Sequence, residues 1–327
     1  MKPPLVLVFS PDVTGEMRQS LISCLASSFS LITRQVDSPV FVGDDVIPGT
    51  RLLKELCFTL GPSAMEPDRL KSLLITRRHL VDSCGNRLYG LSELGGNVGV
   101  VSIAGLDSKE ACAESWHEVG HLWGLDHCQD PACAMAFSSG EAGLLQKAGG
   151  LCRACMNELE FFMEPEGALG VSKCLLGENC RFDGKNCKDP DVLKYVRGKK
   201  VVGICPEEMG GLSTPRERSE IVSEYPVRVE TATGKDVTEA FKQGALAALD
   251  TLINAGVRRC ILKEGSPSCG SRLIHSGKFD GKRIPGRGLT TRLLDEHGVR
   301  VVSEEAVRRR GYVGIEQAED KRPEDRG

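Results

Sequence analysis

The 327-residue chain is poor in aromatics, at 5%, and contains two Trp and four Tyr. It has no apolar run near the ~18 to 20 residues that cross a membrane, which excludes a membrane-spanning helix. Nor does it have charge of one sign. The 42 basic and 45 acidic residues leave −3, which argues against a nucleic-acid coat or a basic membrane binder. There is no strip of basic residues interleaved with aromatics for stacking bases. No export signal is visible either, because MKPPLVLVFSPD has an apolar run of only Leu5 to Phe9 and no cleavage site. A cytoplasmic protein without membrane contact or stable nucleic-acid binding is expected. The sequence does not specify its oligomeric state. What it does have is fourteen cysteines. In a reducing compartment, clustered cysteines point to metal or redox chemistry rather than a disulfide framework.

Charge divides the chain. Residues 1–165 carry a net −7 and residues 166–327 a net +4, with eight and six cysteines respectively. Glu164-Pro165-Glu166-Gly167 reads as a short linker. Two domains are expected, 1–165 and 166–310, with a charged, disordered tail over 311–327. In the first, Leu5–Phe9, Leu73–Thr76 and Val98–Ile103 read as strands. Thr14–Ser27, Thr50–Leu60 and Ser108–Leu125 read as helices. In the second, strands at Gly170–Lys173, Lys200–Ile204, Cys260–Lys263 and Val299–Val302 alternate with helical patterns, the longest over Val237–Ala255. That alternation predicts a mainly parallel α/β sheet.

His117-Glu118-Val119-Gly120-His121 lies within the Ser108–Leu125 helix. Histidines four apart share a helix face and can reach one ion. Glu118 is placed to take a proton from metal-bound water. Gly124 lets the chain turn, and His127 supplies a third nitrogen. Three protein ligands leave one zinc position for water, as a catalytic site requires. Cys128, Cys133, Cys152 and Cys155 then form two close pairs, the pattern of a closed structural zinc site.

The run from His117 to Cys128, followed by Cys133-Ala134-Met135 and Cys152-x-x-Cys155, resembles the archaemetzincins. The resemblance implies a minimal metzincin fold with catalytic zinc on His117, His121 and His127 and a second zinc on the four cysteines. It also implies Met135 as a Met-turn beneath the catalytic ion. By analogy, Val98–Ile103 is expected to be the edge strand that aligns an extended peptide.

In the second half Cys174, Cys205 and Cys269 stand at or beyond strand ends. Loops at the carboxyl ends of parallel strands converge on one crevice. From spacing alone the three could hold zinc, an iron–sulfur cluster, a redox pair or nothing. The blocks around them are VSKCLLGENCRFDGKN, GICPEEMGGLSTPRERSEIV, GKDVTEAFKQGALAAL, ILKEGSPSCGS and GRGLTTRLLDEHGVRVVSE. They resemble, in order, the DUF523 family, which includes thiouracil desulfidases. That implies one [4Fe–4S] cluster on Cys174, Cys205 and Cys269 with one iron open to a soft thiocarbonyl sulfur. Glu207 and Ser266 are the candidate proton-transfer or positioning groups.

The combined expectation is an α+β metzincin-like domain followed by an α/β iron–sulfur domain. It is a fusion of a zinc peptidase and a non-redox desulfidase, with two zinc ions and one cluster. Its partners would be a peptide and a thiolated nucleobase or similar small molecule. The competing reading is a metal sensor or peptide-binding adaptor with one or both halves inactive. Cys24, Cys57, Cys84, Cys112, Cys180, Cys187 and Cys260 carry no assigned chemistry and are mostly expected to be packing residues.

Overall fold

A computed structural model of the chain describes residues 3–35, 45–60, 70–137, 146–147, 149–164 and 167–311. The chain divides into two compact units between Cys155 and Met156. Of the expected linker, Pro165 and Glu166 lie outside the described residues, as does the expected tail from residue 312 onward. No helix among the described residues is long and apolar enough to cross a membrane.

The first unit is built on strands β1 (Pro4–Phe9), β2 (Ser30–Gln35), β3 (Lys71–Thr76), β4 (Gly90–Ser92) and β5 (Val98–Ser102). Their order is β2-β1-β3-β5-β4. All neighbours are parallel except β4, which runs antiparallel to β5. The helices are α1 (Gly15–Leu25), α2 (Gly49–Leu60) and α3 (Ser108–Leu122). Leu52 and Leu56 of α2 pack with Val6, Val8, Leu74, Val98 and Val100. Each fully buried side chain of this kind contributes about 1.5–3 kcal/mol. Leu21 and Leu25 of α1 and Ala111, Val119 and Leu122 of α3 are also fully buried.

Two expectations are corrected here. β5 is not the edge strand, because it pairs on both sides and all five of its residues are buried. A short apolar run buried on both faces is the signature of an interior strand. The edge next to it is β4, a three-residue strand beginning at Gly90, and β2 is the opposite edge. Cys24 and Cys112 are not free packing thiols. They form a disulfide joining α1 to α3, with Cα atoms 6.3 Å apart. Cys84 is exposed and Cys57 and Cys187 are half-buried, whereas Cys180 and Cys260 are buried.

The second unit carries four parallel strands: β6 (Leu169–Ser172), β7 (Val201–Ile204), β8 (Arg259–Leu262) and β9 (Arg300–Ser303). Their order is β7-β6-β8-β9. The long helix α4 (Thr238–Asn254) places Ala248, Leu249 and Leu252 in a core with Ile204, Cys260, Leu262 and Val301. The turn Pro206–Met209 crosses α4 at two glycines. A Cβ at Gly244 would lie 1.9 Å from the Pro206 carbonyl, and one at Gly210 would lie 2.0 Å from the Ala240 carbonyl. Only glycine permits that approach, and it sets where the Cys205–Glu207 turn sits.

Candidate metal centres

α3 begins with a reciprocal cap. Asp107 accepts from the Glu110 amide at 2.8 Å, and the Glu110 carboxylate accepts from the Asp107 amide at 2.9 Å. That satisfies two orphan donors and fixes the helix start. His117, Glu118 and His121 follow on its last turns, and Gly124 turns the chain out at φ 85°. His117 Nδ1 lies 2.8 Å from the Ala134 carbonyl and His121 Nδ1 lies 2.8 Å from the Leu125 carbonyl. A carbonyl can only accept, so each Nδ1 carries the proton and each Nε2 presents a lone pair. The two Nε2 atoms face each other at 3.0 Å. The His127 ring sits 5.3 Å from His117 and 5.1 Å from His121, and the three offer ligand atoms within 4.8 Å of one another.

Desolvation favours the neutral, metal-binding form of these rings, most for the buried His117 and least for the exposed His127. It pushes His117 well below the ordinary imidazole value, lowers His127, and brings His121 down to about 4. Glu118 is 4% exposed, and burial pushes its carboxyl up to about 8. Its Oε2 is buried with no hydrogen-bond partner among the described residues. The edge strand makes room for it, since a Cβ at Gly90 would lie 2.3 Å from Glu118 Oε1. Three converging imidazoles beside an unpartnered carboxyl oxygen are a donor set that fits zinc and its water. Met135 is fully buried under the same helix, and a Cβ at Gly120 would lie 2.2 Å from its sulfur.

Cys128, Cys133, Cys152 and Cys155 bring their sulfurs within 4.8 Å of one another, a set suited to closed tetrahedral zinc. Cys128 and Cys152 sulfurs are 3.8 Å apart, and the Cys152 amide donates to Cys133 Sγ at 3.2 Å. The neighbouring Cys133 thiol pulls Cys128 down to about 7. This knot shares its backbone with the histidine site. The Cys128 amide donates to the Met135 carbonyl, and Ala134 donates to Gly150 while accepting from His117.

Sequence reasoning missed a buried ion pair behind His117. Lys147 Nζ lies 2.6 Å from Glu114 Oε1 and 3.4 Å from His117 Nδ1, with the two side chains 0% and 4% exposed. Glu114 sits three residues before His117 on α3, on the same face. A Lys thirty residues downstream carries no sequence signal of that pairing.

In the second unit, Cys174, Cys205 and Cys269 line one pocket of about 330 Å³ together with Glu207 and Ser266. Cys174 follows β6, Cys205 follows β7, and Cys269 lies within the loop after β8. All three are at least nine-tenths buried. Soft thiols, two just after strand ends and one from a loop, sharing one pocket are a donor set that fits an iron–sulfur cluster. Ser266 Oγ accepts from the Ser268 and Cys269 amides at 3.1 Å each and lies 3.4 Å from Glu207 Oε1. Two lining groups were not expected. The Cys180 thiol lies against Cys174 and Cys205, and the hydrogen bond to Cys174 pulls it down to about 3. Cys180, Cys205 and Glu208 also offer ligand atoms within 4.8 Å of one another. Arg216, from the STPRERSE block, forks onto Glu207.

Comparison with known proteins matches two family models. Residues 84–161 match Peptidase family M54, and residues 169–306 match 2-thiouracil desulfurase. The uncharacterized protein YbbK of Bacillus subtilis is 43% identical over 141 residues, which cover 41% of this chain and 93% of YbbK. The archaemetzincin of Methanopyrus kandleri is 32% identical over 121 residues, covering 35% of this chain and 68% of that protein. The chain spans about half, 52%, of the Pyrococcus furiosus archaemetzincin it matches at 31% identity. A solved structure described as the [4Fe–4S]-dependent thiouracil desulfidase TudS is 42% identical, with a TM-score of 0.40. That match covers 43% of this chain and 92% of TudS.

Proposed function

The chain belongs to two families, the archaemetzincins through its first half and the 2-thiouracil desulfurases through its second, and from that premise we propose two catalytic centres on one polypeptide. The first is a zinc-dependent peptidase. The second is a [4Fe–4S]-dependent, non-redox desulfidase acting on a thiolated small molecule such as 2-thiouracil.

In the first centre His117, His121 and His127 hold catalytic zinc, and Cys128, Cys133, Cys152 and Cys155 hold a structural one. Zinc supplies a Lewis acid and an acidified water. Glu118 takes the proton of the attacking water and returns it to the leaving amine. Its unpartnered Oε2 is the oxygen available for that transfer. The open side of β4 offers backbone donors and acceptors to an extended peptide. The observation that carries this half is the pair of Nε2 atoms 3.0 Å apart, each fixed by a carbonyl behind it.

In the second centre Cys174, Cys205 and Cys269 hold the cluster. With three thiolates, the cluster supplies one iron with an open position for a soft sulfur. Glu207 and Ser266 handle protons as water replaces sulfur at carbon, with no net electron transfer. Two backbone amides occupy the acceptor side of Ser266, so its own proton is directed to Glu207 Oε1. This half is carried by the three thiols and the Glu207–Ser266 pair sharing one pocket.

Anaerobically reconstituted protein should hold about two zinc and about four iron with matching sulfide. It should cleave peptides and convert thiouracil. Glu118→Ala should stop only the first reaction and Cys269→Ser only the second. Full metal content with neither turnover would replace this reading with the sensor or adaptor.

A further inference from the structure

We propose that Arg216 is the positioning residue of the desulfidase centre: it saturates Glu207 Oε2 so that Oε1 alone faces Ser266. The inference rests on the role given above to Glu207. Arg216 Nε donates to Glu207 Oε2 at 2.9 Å, and Nη2 donates to the same oxygen. Nη2 also donates to the Cys180 carbonyl at 2.9 Å. Nη1 donates to Thr214 Oγ1 at 3.0 Å and to the Ser213 carbonyl at 3.2 Å. The guanidinium thus has a partner for each of its nitrogens, and its side chain is only 8% exposed. An arginine serving substrate capture would keep an edge of its fork free. This one is fully engaged inward.

Its partners come from three segments. The Arg216 amide donates to the Phe182 carbonyl at 2.8 Å, and Nη2 reaches Cys180, so the loop after Cys174 is held twice. Glu207 belongs to the turn after Cys205. Thr214 passes its own proton to Glu208 Oε1 at 2.9 Å, securing that turn a second time. In the cluster-free chain the Cys205 thiol donates to the same Cys180 carbonyl at 3.7 Å. Arg216 therefore fixes both the direction of the carboxylate and the spacing of the loops bearing Cys174 and Cys205.

Geometry of this kind bears on turnover more than on affinity, because a misplacement of about 1 Å in a reacting group can cost on the order of a hundredfold. Arg216→Gln and Arg216→Lys are compared with wild type and Glu207→Gln in the full reconstituted chain, with 2-thiouracil as substrate. A second readout uses the cluster-free chain: carbodiimide-driven amidation of Glu207, followed by mass spectrometry. Arg216→Gln should lower kcat on the order of a hundredfold, with KM within a factor of a few. It should also expose Glu207 to amidation that wild type resists. Arg216→Lys, which keeps the charge and loses the fork, should recover part of both. The inference is overturned by wild-type kcat and wild-type labelling in Arg216→Gln, or by a loss confined to KM. Wild-type turnover in Glu207→Gln would instead sink the role of Glu207 itself. If Arg216→Gln does not fold, Arg216→Lys decides: full activity with unchanged labelling refutes the requirement for a fork.

Discussion

The buried Lys147–Glu114 pair yields a stability prediction whose size follows from the structure. Lys147→Met replaces the cation with an apolar side chain of similar length and strands Glu114, which is 4% exposed. Breaking a buried pair from one side typically costs ~3–5 kcal/mol. Glu114 has an escape that caps the cost, because it can fold protonated. Burial already raises its carboxyl above the ordinary 4.5, and removing Lys147 takes away the charge that opposes this. Protonating an ordinary carboxyl at pH 7 costs about 3.4 kcal/mol, at 1.36 kcal/mol per unit. At pH 5 the same step costs under about 1 kcal/mol. A carboxyl whose folded value is raised contributes stability that is fully present below its unfolded value and is lost as pH rises. The variant should thus be destabilised by about 3 kcal/mol at pH 7 and by much less at pH 5. Adding Glu114→Gln should restore most of the loss at pH 7, since no buried charge then remains.

The assay is urea unfolding of the zinc-loaded full chain followed by tryptophan fluorescence. Both tryptophans of the chain, Trp116 and Trp123, belong to the first unit, so the signal reports that unit alone. Both are buried, with rings 5.7 and 4.9 Å from that of Phe29, so unfolding should change their emission strongly. A cost at pH 7 below about 0.5 kcal/mol, or an equal cost at pH 5 and pH 7, would refute the reasoning.

In zinc-free protein, Glu118 with its carboxyl near 8 should make the first unit lose about 2 kcal/mol between pH 6.5 and 8. Glu118→Gln should flatten that slope, and an unchanged slope would assign it to another group. Gly90→Ala puts a methyl 2.3 Å from Glu118 Oε1, so peptide turnover should fall on the order of a hundredfold while zinc content by atomic absorption stays at the wild-type value. Gly244→Ala drives a Cβ to within 1.9 Å of the Pro206 carbonyl and should cost ~1–3 kcal/mol. By shifting the Cys205 turn it should also lower iron and sulfide per chain; undiminished iron would show that the turn can move without harm.

What was legible in the sequence follows from which features repeat locally. The His117–His121 spacing places two rings on one helix face whatever surrounds the helix, and Cys174 and Cys205 follow strand C-termini directly, whereas Cys269 reaches the same pocket only through the loop after β8. β5 is legible as a strand because VGVV is a short apolar run, but the same feature marks an interior strand. The three-residue edge β4 lacks the length for a pattern to show. Lys147 with Glu114 and Cys24 with Cys112 pair across 33 and 88 residues, beyond any local signal. Arg216 lies in a block that resembles the desulfidase family, yet nothing in STPRERSE says which of its charges turns inward.

The two centres solve one problem in opposite ways. Each sets a glutamate close to its donors, Glu118 beside His117 and Glu207 two residues after Cys205. Glu118 stands in a buried recess opened by Gly90, with Oε2 unpartnered. Glu207 has Oε2 filled by a buried arginine and Oε1 aimed at a serine. A carboxylate in the first setting has a free oxygen for a reactant and is governed by desolvation. One in the second is restrained by its partners and, in the proposed role, would relay through a hydroxyl whose orientation two amides fix. Environment, not residue type, would therefore divide the proposed roles of the two glutamates. Conservative changes should accordingly act differently at the two sites. Enlarging Gly90 should disable Glu118 by occupying its space, whereas Glu207 should be disabled by loosening the arginine that holds it.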